Sequence, residues 1–175
     1  MKKYELTKET KTIGRVTLYR IKALRSFGNV KAGDLGGFVE KEENLSHKGN
    51  SWVYGNAEVY GNAKVYGNAE VYGNAEVCDN AEVYGNAEVC DNAEVRGPAR
   101  ICSGEDYLCF QGLGSLSRNI TFFKCKDGDI RVSCDCFSGD LGAFETKVKE
   151  THGNRKYAKE YLACIEVVKI HFEIN

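Results

Sequence analysis

Proline is all but missing from this chain. Pro98 stands alone among 175 residues, and methionine and tryptophan also occur once each. A sequence so poor in proline is neither a polyproline linker nor a collagen-like repeat, and nearly every backbone N–H is available to a hydrogen-bond ladder. Long apolar runs are missing as well. None approaches the roughly 20 residues that a membrane-spanning helix requires, so no membrane partner is expected. Met1-Lys2-Lys3 imitates the start of an export signal, but Tyr4 to Thr12 is polar and charged where an apolar segment should follow. The expected address is the cytoplasm. Charge of one dominant sign is also lacking, the formal net value being -1 at pH 7. With no nucleic-acid motif beside it, that near-neutrality argues against extended nucleic acid as a partner.

What is present is a folded, soluble composition, with 42% hydrophobic residues and 19 glycines, many of them inside a repeat. A chain of this length supports one substantial core or two small ones. The eight cysteines would suit a disulfide framework in an exported protein; without an export signal they read as free thiols. The net charge conceals a division along the chain. Residues 1–50 carry 11 basic against 6 acidic side chains, residues 51–102 carry 3 against 8, and residues 103–175 carry 10 against 11. A basic first part beside an acidic middle predicts that the two attract each other, within one chain or between subunits.

From Val53 the phrase Val-Tyr-Gly-Asn-Ala-Glu recurs with little variation. An aliphatic residue falls at every sixth position from Val53 to Ile101, and an alanine follows four residues after each of the first eight. A period of six fits neither a helix nor an alternating strand. It fits a parallel β-helix whose coils are three short strands, with glycine and asparagine at the corners, where a left-handed backbone is tolerated. The spacing over residues 53–102 resembles the hexapeptide repeat of left-handed β-helix proteins, and the left hand is implied by that resemblance alone. The expected fold is mainly β: a left-handed parallel β-helix of about three coils with a small α+β C-terminal domain. Residues 1–52 then supply N-terminal strands and an irregular capping coil, 53–102 the β-helix, and 103–175 a β-meander with two helices.

With 18 residues per coil, positions 18 apart stack. Valine and alanine fill the prism, which makes it a packed core and not a pocket. Outside, Tyr54 stacks with Tyr72 and Cys90, Tyr60 with Cys78 and Arg96, and Tyr66 with Tyr84 and Cys102. These tyrosines either stack on one another or meet a second subunit. Lys64, Glu82 and Arg100 alternate in sign, whereas Glu58, Glu76 and Glu94 form a column of like charge. That column is either solvated or faced by basic residues from the N-terminal part or from a neighbouring subunit. The five tyrosines and three glutamates are the candidate interface of a homo-oligomer, a trimer being the form many such folds take.

In the flanks, Arg15 to Leu24 reads as a strand or two, and Val30, Leu35, Val39, Leu45 and Trp52 are the inward candidates of the first coil. After the repeats a meander begins near Tyr107. Asp127-Gly128 predicts a two-residue hairpin turn that pairs Cys125 with Ile130 and Phe123 with Val132, leaving the cysteines on one apolar face. A helix capped by Asp140 and closed near Gly153 follows, with Leu141, Phe144 and Val148 on one side; a second carries Tyr157, Tyr161, Leu162 and Ile165.

Few residue sets promise chemistry. Cys134 and Cys136, with Cys125 and Cys164, could be arranged as zinc ligands, but the one-residue gap and the apolar face favour core packing. No metal and no cofactor is expected. Enzymes built on hexapeptide repeats place a histidine base in or beside the coils; here no repeat holds one, and His47 is the nearest, so an acyltransferase is the alternative and not the leading reading. The run Phe110 to Phe123 is more suggestive. Gly112, Gly114 and Ser115 could present backbone N–H groups to an anion, and Arg118 supplies a fixed positive charge. Lys124 and Arg131, read as a cross-hairpin pair beside Phe122, complete a set suited to a nucleotide-like ligand.

The stretches "RIKALRSFGNVKAGDLGGFVEKEENLSHKGNSWVYGNA" and "TFFKCKDGDIRVSCDCFSGDL", with "KETHGNRKYAKEY", resemble uncharacterised proteins of phages and prophages, from about residue 15 to the end. The resemblance brings no catalytic residues. It implies a non-catalytic binding protein in the cytoplasm of a bacterial host, with an anti-defence role, acting by sequestering a nucleotide-like signal or by occupying a host defence protein. A structural or assembly module is a further alternative.

Overall fold

Each hexad contributes a rung only two residues long, because the corner that follows turns the chain before more can pair. The structure, a computed structural model, describes residues 1–135 and 137–174. Three longer strands precede the repeats: β1 (Tyr4–Ile13), β2 (Val16–Ala23) and β3 (Leu35–Val39). The rungs are β4 (Trp52–Val53), β5 (Glu58–Val59), β6 (Lys64–Val65), β7 (Glu70–Val71), β8 (Glu76–Val77), β9 (Glu82–Val83), β10 (Glu88–Val89), β11 (Glu94–Val95) and β12 (Arg100–Ile101). They pair in parallel in the columns β4-β7-β10, β6-β9-β12 and β5-β8-β11, with partners 18 residues apart. β3 extends one column and a Leu45–Val65 bridge another, so the β-solenoid makes about four turns. Val53, Val59, Val65 and their successors to Ile101, with the alanines from Ala57 to Ala99, are at most 1% exposed.

Corners explain the glycines. Gly73 has φ +74°, and a Cβ there would stand 2.9 Å from the backbone N and O of Asp91 in the next coil. Where Asp replaces Gly, at Asp79 and Asp91, φ is still +60°. Asn side chains then form ladders along the corners, Asn62 donating to Asn80, Asn68 to Asn86 and Asn74 to Asn92 at 3.1–3.3 Å.

The N-terminal part is annealed to one face. β1 and β2 form an antiparallel hairpin, β2 pairs antiparallel with β3, and β3 continues in parallel into β5, giving the sheet order β1-β2-β3-β5-β8-β11. β1 lies outside the stretch the sequence marked as strand; its middle is solvent-exposed, so it carries no apolar alternation to read. Its Lys11 pairs with Glu58, and Arg96 pairs with Glu94 and lies 3.7 Å from Glu76. The column of like charge is thus met by cations from the same chain. Val30, Val39, Leu45 and Trp52 are buried, but Leu35 is 58% exposed, a correction to its inward assignment. Leu35 opposes Lys22 at the outer start of β3, before the chain closes on the solenoid at Gly36 and Gly37. A Cβ at Gly37 would lie 2.5 Å from Ala57 O and 2.7 Å from Val53 Cγ1. Gly37→Ala is expected to cost about 1–3 kcal/mol, read as a lower urea midpoint. Gly104→Ala, in open space, should leave the midpoint where it is.

After the repeats come β13 (Tyr107–Leu113), β14 (Arg118–Lys124), β15 (Ile130–Cys134) and β16 (Phe137–Asp140), a four-stranded antiparallel meander, then α1 (Leu141–His152) and α2 (Lys156–His171). α1 starts where the sequence placed it, Asp140 Oδ1 accepting from Ala143 N–H at 2.7 Å, and closes at Gly153 with φ +55°. The hairpin register is a correction. β14 and β15 pair Lys124 with Ile130, Phe123 with Arg131 and Phe122 with Val132. The loop is three residues, Lys126 to Gly128, with Gly128 at φ +88° and Cys125 N–H donating to Asp129 O at 2.9 Å. A three-residue loop of this kind shifts the pairing by one and so exchanges the faces. Phe123 and Cys125 join the solenoid core, while Ile120, Phe122, Val132 and Cys134 pack on Phe144, Val148, Tyr161 and Ile165. Cys125 and Cys134 therefore face opposite sides of the sheet, and Cys136 lies outside the described residues.

Candidate functional site

The cavity best furnished for a ligand lies where the meander meets the helices. Its volume is about 250 Å³, and Phe137, Phe144, Val148 and Tyr161 form apolar walls, with Cys134 among the lining residues. Helical periodicity in α1 brings Phe144, Lys147, Val148, Thr151 and His152 to one side. β14 contributes Arg118 at its first position, and Arg118, Lys147 and His152 line the same space. The rings are in contact: Phe137 and Phe144 lie 5.2 Å apart between centroids, Phe144 and Tyr161 6.0 Å, and His152 and Tyr161 5.5 Å. Burial, first, pushes the Tyr161 phenol above its ordinary pKa.

Charge in the cavity is only partly compensated. Arg118 Nη2 lies 3.2 Å from Asp135 Oδ2, both side chains being substantially exposed. Such a pair is worth at most about 1 kcal/mol, so an incoming anion can compete for the guanidinium. Among the described residues, no carboxylate lies within 4 Å of Lys147 Nζ. A polar cleft of about 300 Å³, lined by Glu94, Ser117, Asn119 and Asp135, adjoins the other side of Arg118.

Of the residues the sequence singled out for binding, Arg118 reaches this cavity. Gly114 contributes from behind: its N–H donates to Glu160 at 3.1 Å, and a Cβ there would lie 2.0 Å from the Tyr161 hydroxyl. Gly112 sits at a bulge in β13 with open space around it, and Ser115 is exposed in the turn that follows. Phe122 is 0% exposed, edge-on to Phe110 and Phe144, so its assignment as a stacking surface is corrected. Lys124 and Arg131 diverge to opposite faces because of the register. Lys124 pairs with Asp106 at 3.1 Å, and Arg131 lies 3.7 Å from Asp127. Sequence reasoning read Phe144, Val148 and Tyr161 as core, gave His152 a structural role at a helix end, and passed over Phe137, Lys147 and Thr151; the i, i+3, i+4, i+7 spacing from Phe144 to Thr151 was the available signal.

The tyrosines of the repeat are engaged within the chain. Tyr54 donates to Glu70 at 3.1 Å, Tyr66 to Glu82 at 3.2 Å and Tyr72 to Glu88 at 3.0 Å, and Tyr60 donates to Glu76. Tyr84 stacks on Tyr66 at 5.1 Å with the rings 9° apart. Glu58 is 8% exposed beneath Lys11. His47 lies outside the cavity: Nδ1 accepts from Lys3 N–H at 3.2 Å, its ring stacks on Tyr4 at 4.5 Å, and Nε2 is 3.6 Å from Glu42. His171 lies with Nε2 3.0 Å from Glu105 O. Among the described residues, no group of three His, Cys, Asp or Glu is placed to hold a metal ion.

A second, larger groove of about 660 Å³ runs over the β6-β9-β12 face, between Lys41, Lys64 and Lys126. No known protein family has a sequence model that matches this chain, and no curated protein matches it.

Proposed function

We propose that the chain is a non-catalytic binding protein, with the solenoid as rigid scaffold and the Arg118 cavity as the recognition site. The observation that carries this reading is a fixed guanidinium at an aromatic-walled space, a pairing that suits a flat ring bearing an anionic group. At about 250 Å³ the cavity is at the small end for ligand sites, so it takes a nucleobase or similar ring with its anion at the mouth, not a dinucleotide. Taken with the resemblance to phage and prophage proteins, the ligand is a nucleotide-like signal and the role anti-defence, in the cytoplasm of a bacterial host. Left-handed winding and a trimeric assembly through the tyrosine and glutamate columns belong to the same proposal.

The test is a thermal-shift series with mononucleotides, cyclic mononucleotides and ADP-ribose, on the full chain and on Arg118→Ala. A ligand at a hundred times its Kd stabilises by about 2.7 kcal/mol, which is several degrees for a chain of this length. A shift in the parent that is lost in Arg118→Ala supports the site. No shift with any of the compounds, or an equal shift in both proteins, rules it out.

A further inference from the structure

The repeat departs from its own rule in an ordered way. At the position before each valine, six hexads carry glutamate: Glu58, Glu70, Glu76, Glu82, Glu88 and Glu94. The two basic exceptions, Lys64 and Arg100, fall in one column, on either side of Glu82. Lys41, from the segment after β3, and Lys126, from the β14–β15 loop, reach the same face, so cations from three distant parts of the chain converge there. Of the other two columns, one is met by Lys11 and Arg96, and the other carries Glu70 and Glu88, each accepting from a tyrosine. The β6-β9-β12 column therefore offers cations on an open groove.

The groove's lining sets three ammonium groups, Lys41, Lys64 and Lys126, against two carboxylates, Glu43 and Glu82, with the amides of Asn44, Asn62 and Asn80 beside them. Lys126 pairs with Glu82 at 2.7 Å, and Tyr66 also donates to that carboxylate, so Glu82 is already engaged. Among the described residues, no carboxylate lies within 4 Å of Lys41 or Lys64 Nζ. Asn80 accepts from Asn62, but Pro98 stands in the next coil where an asparagine would receive Asn80's own amide, so the ladder ends at Asn80, whose amide N–H groups donate to no side chain among the described residues. We infer that this groove is a second anion site, independent of the Arg118 cavity, for a small, multiply charged phosphate compound. Lys41, Lys64 and Lys126, brought to one groove from different parts of the chain, can meet several phosphoryl oxygens at once, which suits a multiply charged phosphate better than a single carboxylate.

Calorimetric titration of the full chain with pyrophosphate at low ionic strength tests it. Binding is expected, weakening as salt is added. Lys64→Glu should reduce the affinity tenfold or more, and this variant restores the residue that six equivalent positions already carry, so it folds. Lys41→Gln should weaken binding by a smaller factor. Arg118→Ala should leave pyrophosphate binding unchanged, which separates this site from the first. Absence of heat with pyrophosphate, or an affinity unaltered in the Lys41→Gln, Lys64→Glu double variant, overturns the inference.

Discussion

Above about pH 10 the protein is expected to lose its fold on a steep titration, with the phenolate absorbance of its tyrosines appearing at the same step. Burial first, and neighbouring carboxylates second, hold the Tyr4 and Tyr60 hydroxyls well above the ordinary phenol range and bring Tyr54 to about 12; burial and then Cys90 do the same for Tyr107. An unfolded chain releases these protons near pH 10, so from there the unfolded state holds fewer protons than the folded one, and stability falls as pH rises. Each group contributes at most about 1.4 kcal/mol per pH unit, and less at the half-buried Tyr54, Tyr60 and Tyr107, where solvent screens the charge; even so, the four together remove several kcal/mol within about two pH units, comparable to the stability of a whole domain. Two thiols begin the decline earlier, since burial raises Cys78 to about 12 and Cys125 to about 11 while an unfolded thiol ionises near 8.5–9. Lys3 runs the other way. Burial and then Arg25 lower it from 10.5 to about 8, so it loses its proton first in the folded state and adds stability between about pH 8 and 10. The urea midpoint should therefore change little up to about pH 9, decline gently to 10 and collapse beyond. Phenolate absorbance that grows smoothly from pH 10 while circular dichroism stays constant would show that these hydroxyls are not held by the fold.

Those phenols show how far the sequence could be read. The six-residue rhythm yields coil length, core residues and stacking partners, because each follows from one number, 18 residues per coil. The tyrosine-to-glutamate contacts run from i to i+16, since a side chain after the valine leans toward the residue before the valine in the coil above. That offset was present in the hexad, with tyrosine second and glutamate sixth; direct stacking at i+18 gave the Tyr66–Tyr84 pair but not these hydrogen bonds.

Register and exposure were less accessible. Asp127-Gly128 suits a two-residue hairpin loop, yet glycine in the left-handed region equally closes a three-residue loop, and the two differ by one residue of pairing. That single step sends Phe122 to the helices and splits Lys124 from Arg131, which dissolved the binding set read around them. Arg118 survives because it stands at the far end of β14, where its neighbours come from α1. The aromatic walls were misread for a physical reason: a side chain lining a small cavity has the same periodicity as one lining a core.

The register has a consequence large enough to measure. β14 lies between two cores, with Phe123 in the solenoid cluster and Phe122 among the helices, each at most 1% exposed. Phe123 closes the open end of the prism, helped by Thr121, whose hydroxyl accepts from Glu94 N–H at 2.9 Å, and by Lys126, whose N–H donates to Pro98 O at 3.1 Å. An end left uncovered would expose unpaired strand edges. Phe123→Ala is therefore expected to cost about 3–5 kcal/mol, and Phe122→Ala a similar amount, but from different parts of the chain. Native-state hydrogen exchange separates them, because packing lost on one side of a sheet lowers the opening free energy of the unit it supported. In Phe123→Ala the amides of β11 and β12 should exchange faster while α1 and α2 keep their protection; in Phe122→Ala the helices should loosen first. If the two variants give the same exchange pattern, β14 does not divide two cores, and the register that places these neighbours on opposite faces is wrong.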